Sequence, residues 1–255
     1  MVERGTHLAR LTFLGVGDAV DPSAANTSLL YHGTRTLLLD CGPAIASVAF
    51  RALADPNQLD ALWISHQHAD HCFGLPTLLL MLRQARRSKA LELLGGPGST
   101  AVLQQLLDIG YPGAFRASKC FPLHFSEISP SQPLDFAELR LSTAQTQHGV
   151  ACHALRIDAA GHCLCFSSDG KLNNATLGLY READLVVHEC QSVESASINH
   201  SQLAELQPLF SVANARQLAL VHCSSHERAA VAERSRLLFG ARAFMPEPGD
   251  TIKLA

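Results

Sequence analysis

The chain has 255 residues, 47% of them hydrophobic, with 20 Lys and Arg against 23 Asp and Glu and a formal net charge of −3. That length and apolar content suit a large packed domain and exclude an intrinsically disordered chain. The slightly acidic balance argues against a protein that grips long nucleic acids, which shows a basic surplus or stripe. The compact basic run Arg83 to Lys89 (RQARRSK) reads as a solvated helix end, its cations placed to suit the dipole. Eight cysteines (Cys41, Cys72, Cys120, Cys152, Cys163, Cys165, Cys190 and Cys223) lie in apolar stretches such as CLCF and VVHEC, with no CxxC pair. They read as buried, reduced thiols rather than a disulfide framework. The N-terminal MVERGTHLARLTFLG has no apolar run of signal-peptide length, and no stretch approaches the ~18 apolar residues of a membrane span. The expectation is a soluble cytoplasmic protein without a membrane partner.

In chain order, Leu8 to Leu14, Ser28 to Tyr31 and Thr36 to Asp40 read as strands, the last two joined at His32-Gly33-Thr34 as a hairpin. Pro43 opens a helix to about Ala54, since proline suits a first turn whose N–H is not needed. Leu59 to Ser65 is a buried strand that runs into the cluster SHQHADH. Leu75 to Arg87 is a helix, Leu91 to Leu94 a strand, GGPGS a turn and Thr100 to Leu107 a helix. From Phe121 to Phe166 short strands dominate (FPLHF, ELRLSTAQTQ, ACHALRID, HCLCF), which predicts an antiparallel meander. After Asp169 come the strand Ala183 to Cys190, the helix Ser201 to Asn214 and the strand Gln217 to His222. The helix Glu227 to Phe239 follows, then a strand pair around Phe244 and Thr251 to Leu254. This order implies an α/β protein in which two mixed β-sheets pack face to face with helices outside. That is a four-layer αββα sandwich, forming one domain over residues 1–255.

His66, His68, Asp70 and His71 fall within six residues where an apolar strand gives way to a helix. Loops at strand ends are where a rigid scaffold aims side chains at one point. Residues two apart in an extended segment face one way, so His66, His68 and Asp70 can share a side while His71 aims elsewhere. One metal cannot easily use all four, but two adjacent metals can, His66 and His68 serving one and Asp70 and His71 the other. Imidazole and carboxylate suit Zn²⁺ at about 2.0–2.2 Å. The plainer reading, a His-rich surface loop, is weakened by the position at a strand end. His148, Asp169 and His222 each close an apolar strand and are candidates to complete the two shells, with Asp169 able to bridge. His153 and His162 compete with His148 but lie inside strands.

These residues resemble the metallo-β-lactamase superfamily. HxHxDH followed by GL, then single His, Asp and His ligands, follows the superfamily order. LGVGDA, NTSLLYHGTRTLLLDCGP, ISHQHADHCFGLP, LLGGPGS, HGVACHALRI, FSSDG, LVVHEC, NHSQL and LALVHCSS look like its ribonuclease Z and arylsulfatase-like branch. The resemblance implies the metallo-β-lactamase fold and two divalent metal ions, zinc foremost, with manganese or iron compatible with the same donors. It gives one ion His66, His68 and His148, the other Asp70, His71 and His222, and both Asp169. Asp40 matches a position that supports the metal loop. Glu189 and His200 match a Glu–His pair beside the leaving group, and a homodimer is implied.

Departures from the branch narrow the expectation. Ribonuclease Z carries a basic arm for transfer RNA between the third His and the bridging Asp, whereas His148 to Asp169 spans 21 positions here. Gly170 stands where the branch often has Thr, and LVHCSSHE lacks its aromatic-and-arginine ending. The expectation is therefore a dinuclear metal-dependent hydrolase, a phosphodiesterase acting on a small or short phosphodiester through metal-bound hydroxide, without stable nucleic-acid binding. Asp70, His200 and Glu189 are its expected catalytic residues. The alternatives are lactonase, thioesterase or arylsulfatase chemistry, a ribonuclease Z-type endoribonuclease, or a non-catalytic metal-binding protein. The loops Ala19 to Asn26 and Ile109 to Phe121 are expected to set specificity.

Overall fold

The computed structural model describes residues 9–116, 120–159, 161–194 and 197–254. The segment before residue 9, including the expected strand start at Leu8, and residues 117–119 of the second specificity loop lie outside this description. The first half contains β1 (Ala9–Gly15), β2 (Ser28–His32), β3 (Thr36–Leu39), α1 (Ile45–Ala52), β4 (Ala61–Ile64), α2 (Ala69–Cys72), α3 (Leu75–Gln84), β5 (Leu91–Gly95), α4 (Ser99–Gly110) and β6 (Leu123–Glu127). The second contains β7 (Leu134–Phe136), β8 (Leu139–Gln145), β9 (His153–Ala159), β10 (His162–Phe166), α5 (Asn174–Leu179), β11 (Leu185–Glu189), α6 (Pro208–Ser211), β12 (Gln217–Val221), α7 (Arg228–Phe239), β13 (Ala243–Phe244) and β14 (Thr251–Leu254).

Among the described residues the strands form two seven-stranded sheets, in the orders β14-β1-β2-β3-β4-β5-β6 and β13-β12-β11-β10-β9-β8-β7. The period of two along each strand sorts side chains into layers. Leu37 and Leu39 of β3 face the core between the sheets together with Leu185 and Val187 of β11. Leu38 instead packs with Leu75, Leu78 and Leu103 under the helices on one outer face. Val186 joins Leu218, Leu220 and Val231 on the other. Strands buried on both faces read as continuous apolar runs, which is why TLLL, ALWI and LVV carry almost no polar residues. The four-layer αββα architecture is the expected one.

Strand direction locates the site. β3, β4, β5 and β6 run parallel in the first sheet, and β10, β11, β12 and β13 run parallel in the second. Asp40, the His66 loop, Asp169 and His222 follow the carboxyl ends of these strands, and Glu189 is the last residue of β11, at the edge where open α/β sheets bind ligands. All eight cysteines are free, as expected. No helix among the described residues is long and apolar enough to cross a membrane.

Several elements differ from expectation. The strand in FPLHF does not belong to the meander; β6 adds to the first sheet, parallel to β5. The meander instead begins at β7, which the sequence reading passed over. The two last strands do not pair: β13 joins β12 and β14 joins β1, in different sheets. The helix expected over Ser201 to Asn214 is split into a 3-10 turn (Leu203–Leu206) and α6, because Pro208 has no N–H to continue the ladder. The basic run begins in the last turn of α3 with Arg83 and is exposed at Arg86 and Lys89, as expected of a solvated helix end, but one member departs from that reading. Arg87 is buried, donates to the carbonyls of Pro56, Leu59 and Ala90, and lies over the Phe121 ring.

His188 faces the outer layer of the second sheet. It is fully buried, its Nδ1 donates to the Glu189 carbonyl at 2.7 Å, and burial pushes its pKa down to about 4. A histidine with a folded pKa below its unfolded one stabilises above the unfolded value and loses that contribution as the pH falls toward 4. Urea unfolding of the wild type should therefore lose about 2 kcal/mol more than His188→Asn between pH 7.5 and 5. Equal losses would show that His188 is not held neutral.

Candidate active site

The Ser65–His68 loop leaves β4 extended, with His68 still at φ −63° and ψ 146°, before one turn of helix starts at Ala69. Asp70 therefore does not continue the extended side shared by His66 and His68, as the two-residue period suggested. The turn of α2 swings it to the side of His71.

Two donor groups result. His66, His68, His148 and Asp169 form one, and Asp70, His71, Asp169 and His222 the other, with the ligand atoms of each within 4.8 Å of one another. In the first, His68 Nδ1 lies 3.0 Å from His66 Nε2 and 3.1 Å from His148 Nε2. Asp169 Oδ2 lies 3.8 Å from His66 Nε2 and 3.9 Å from His148 Nε2. In the second, His71 Nε2 lies 3.0 Å from Asp70 Oδ2 and 3.2 Å from Asp169 Oδ1, while His222 Nδ1 lies 3.5 Å from that same oxygen. Asp169 thus turns one oxygen to each group.

The arrangement fits divalent cations. His71 Nε2, Asp169 Oδ1 and His222 Nδ1 are buried without a hydrogen-bond partner, yet they converge. Buried polar atoms without partners are costly, and a cation among them removes that cost. Burial alone would raise the Asp169 pKa, but His222, His71 and His66 hold it well below the usual carboxylate range. An ionised carboxylate surrounded by imidazoles is the donor chemistry of zinc, manganese or iron.

Asp40 fixes the frame. It is fully buried, and its Oδ1 accepts from Ser65 N at 2.8 Å. Its Oδ2 accepts from Ser65 Oγ at 2.8 Å, Ser168 Oγ at 3.1 Å and His71 Nδ1 at 2.8 Å. Holding Nδ1–H of His71 leaves Nε2 as the lone-pair donor. His148 is set likewise, its Nδ1 donating to the Asn199 carbonyl at 3.1 Å. Asp40, Ser168 and His222 all have positive φ, at 60°, 52° and 54°. Left-handed backbone at non-glycine residues costs energy and clusters where packing holds a functional geometry. Gly42 lets the metal loop approach: a Cβ there would lie 2.0 Å from the Asp70 carbonyl oxygen.

Glu189 and His200 are brought to the same place. His200 Nδ1 lies 3.3 Å from Glu189 Oε1, which also accepts from Gly170 N at 3.1 Å and Ser201 N at 2.9 Å. Ser201 N therefore serves Glu189 rather than opening a helix. The His200 ring stacks on His222 at 5.6 Å and meets His148 edge-on at 5.2 Å. Burial pushes the His200 pKa down, but Glu189 more than offsets this and raises it; burial raises that of Glu189. His162 lies apart, its Nε2 paired with the Tyr31 hydroxyl at 3.0 Å, and His153 lines a cavity on the flank of the first group. The sequence reading missed Ser65 and Ser168, short polar residues beside candidate ligands whose partners are set by the fold.

The fold and this site define a metallo-β-lactamase-fold hydrolase, similar to ribonuclease Z as the motifs implied. Residues 9–242 match the family described as "Anti-Pycsar protein Apyc1", and the chain belongs to that family. Ribonuclease Z of Natronomonas pharaonis is 25% identical over 307 aligned residues, covering 96% of this chain and 97% of that protein. Ribonuclease BN of Cronobacter sakazakii is 30% identical over 153 residues, 58% of this chain and 49% of that protein, so the match spans about half its length. The solved structure of YhfI from Bacillus subtilis superposes with a TM-score of 0.80 at 22% identity, over 96% of this chain and 99% of that one.

Substituting Asp40→Asn should leave the fold intact and turn an N–H toward His71. Metal affinity, read by competition with a chromogenic chelator, should fall ~10–100-fold. Unchanged affinity would show that His71 does not depend on Asp40.

Proposed function

We propose that the protein is a phosphodiesterase for a small or short phosphodiester, using two divalent cations, zinc foremost, held by His66, His68, His148, Asp70, His71, His222 and the bridging Asp169. The Glu189–His200 pair beside both donor groups carries this reading. Ribonuclease relatives support phosphodiester chemistry over a carbonyl substrate. The family description supports an anti-Pycsar role. When bound, the cations acidify water and offset negative charge on the reacting oxygens.

The chain's own residues then have distinct tasks. Asp70, whose side chain is more exposed than that of Asp169 (11% against 3%), accepts the proton of the attacking water. As the new P–O bond forms, the bond to the leaving oxygen breaks. His200 donates the proton that this oxygen needs: Glu189 faces Nδ1, which leaves Nε2 to carry it. The segment between His148 and Asp169 is taken up by the paired strands β9 and β10, which favours a small substrate over transfer RNA. A cytoplasmic homodimer of a one-domain chain, without stable nucleic-acid or membrane partners, completes the proposal.

Two diesters test the roles together. With about two metals per chain, the wild type should hydrolyse bis(p-nitrophenyl) phosphate, and His68→Ala should abolish turnover. His200→Ala should cost ~10²–10⁴-fold on a diester with an alkoxide leaving group and little on p-nitrophenolate, which needs no proton. Preferential turnover of a lactone, thioester or aryl sulfate in the same assay would overturn the substrate class. Metal binding without any turnover would favour a binding protein.

A further inference from the structure

The chain reaches His200 through a short turn, and one side-chain oxygen holds that turn. Ser197 Oγ accepts from Asn199 N at 3.2 Å and from His200 N at 3.1 Å. A serine hydroxyl that gathers the backbone N–H groups following it favours a turn over regular structure. The turn lies against the segment that leaves β8. There the Asn199 carbonyl accepts from His148 Nδ1 at 3.1 Å, and a Cβ on Gly149 would lie 3.1 Å from Asn199 Nδ2.

Two of these hydrogen bonds belong to a single peptide group. The Asn199 carbonyl and the His200 N–H are the two polar ends of one planar unit, and in a trans peptide they point to opposite sides. Ser197 Oγ holds one end, and His148, a candidate ligand of the first donor group, takes the other. Rotating the unit would move both. The same unit ends at the His200 Cα, from which the ring of the proposed proton donor departs. Glu189 holds the other side of this residue, its Oε1 facing the ring and accepting from Ser201 N at 2.9 Å. His200 is thus bracketed by two held peptides, and the preceding one is shared with the metal-binding side.

We propose that Ser197 is a positioning residue. Through the Asn199–His200 peptide its hydroxyl sets two rings together, His148 toward the first cation and His200 toward the leaving oxygen. The assignment rests on the phosphodiester reading above. In sequence Ser197 carries no signal of this, since SINH reads only as loop. Ser197 is half-buried, so truncating it to alanine removes the hydroxyl without opening the core, and threonine keeps the hydroxyl.

Ser197→Ala and Ser197→Thr test the assignment by two readouts. With both metal sites filled, kcat of Ser197→Ala on a diester with an alkoxide leaving group should fall about tenfold at unchanged KM. Bis(p-nitrophenyl) phosphate, whose leaving group needs no proton, should be hydrolysed nearly as by the wild type. Titration with Co²⁺ against a chromogenic chelator should show one of the two sites weakened by about tenfold, as when a ligand loses its orienting partner. Ser197→Thr should restore both. Unchanged Co²⁺ affinity in Ser197→Ala would overturn the assignment, as would equal losses on the two diesters or losses that threonine does not restore. Where His200→Ala selectively loses the alkoxide diester, full retention of it by Ser197→Ala would overturn it too. A wild type without diester turnover would sink the phosphodiester reading instead, and the Co²⁺ titration, which needs no turnover, would then decide for or against Ser197.

Discussion

The site depends on one buried carboxylate. Asp40 accepts hydrogen bonds from Ser65 and His71 of the metal loop and from Ser168 of the opposite sheet. A charge fully removed from water is tolerable only when its oxygens are satisfied, and these donors do so. In satisfying them, the chain joins the ends of β3, β4 and β10, so both halves of the sandwich are referenced to the same point. The Ser168 hydroxyl also lies 2.6 Å from Ser65 Oγ, so its one proton is shared between that oxygen and Asp40 Oδ2, and the network closes across the sheets.

That network explains where the unusual backbone lies. Asp40, Ser168 and His222 hold left-handed conformations at the ends of three strands. Each turns the chain sharply enough to bring a side chain back over the inter-sheet cleft. The His222 N–H donates to the Val16 carbonyl at 2.9 Å, so the end of β1 anchors this candidate ligand as Asp40 anchors His71. The first sheet contributes His66, His68, Asp70 and His71, and the second contributes His148, Asp169 and His222. The two donor groups therefore exist only when the sheets are packed.

Much of this was legible in the sequence because it depends on local periodicity. Apolar runs ending in His or Asp announced the strand ends, and the density of His66, His68, Asp70 and His71 announced the site. The split of these residues between two groups was also legible, although the start of α2 at Ala69, rather than alternation, is what moves Asp70. What the sequence concealed is long-range. The pairing of β6 with β5 and of β14 with β1 depends on which edges remain open after the core forms. The burial of Arg87 depends on the carbonyls of Pro56 and Leu59, about thirty residues away in the loop before β4, as well as on the nearby Ala90. His153 was weighed as a ligand, but its place beside Gly96 and Ser99 emerges only when β9 packs against the carboxyl end of β5.

The account turns on Asp169 joining two cation sites through its separate oxygens. Electron paramagnetic resonance of the protein loaded with two Mn²⁺ per chain examines this most directly. The account predicts the spectrum of a spin-coupled pair in the wild type, replaced by isolated-ion signals in Asp169→Asn. Isolated signals from the doubly loaded wild type would contradict it.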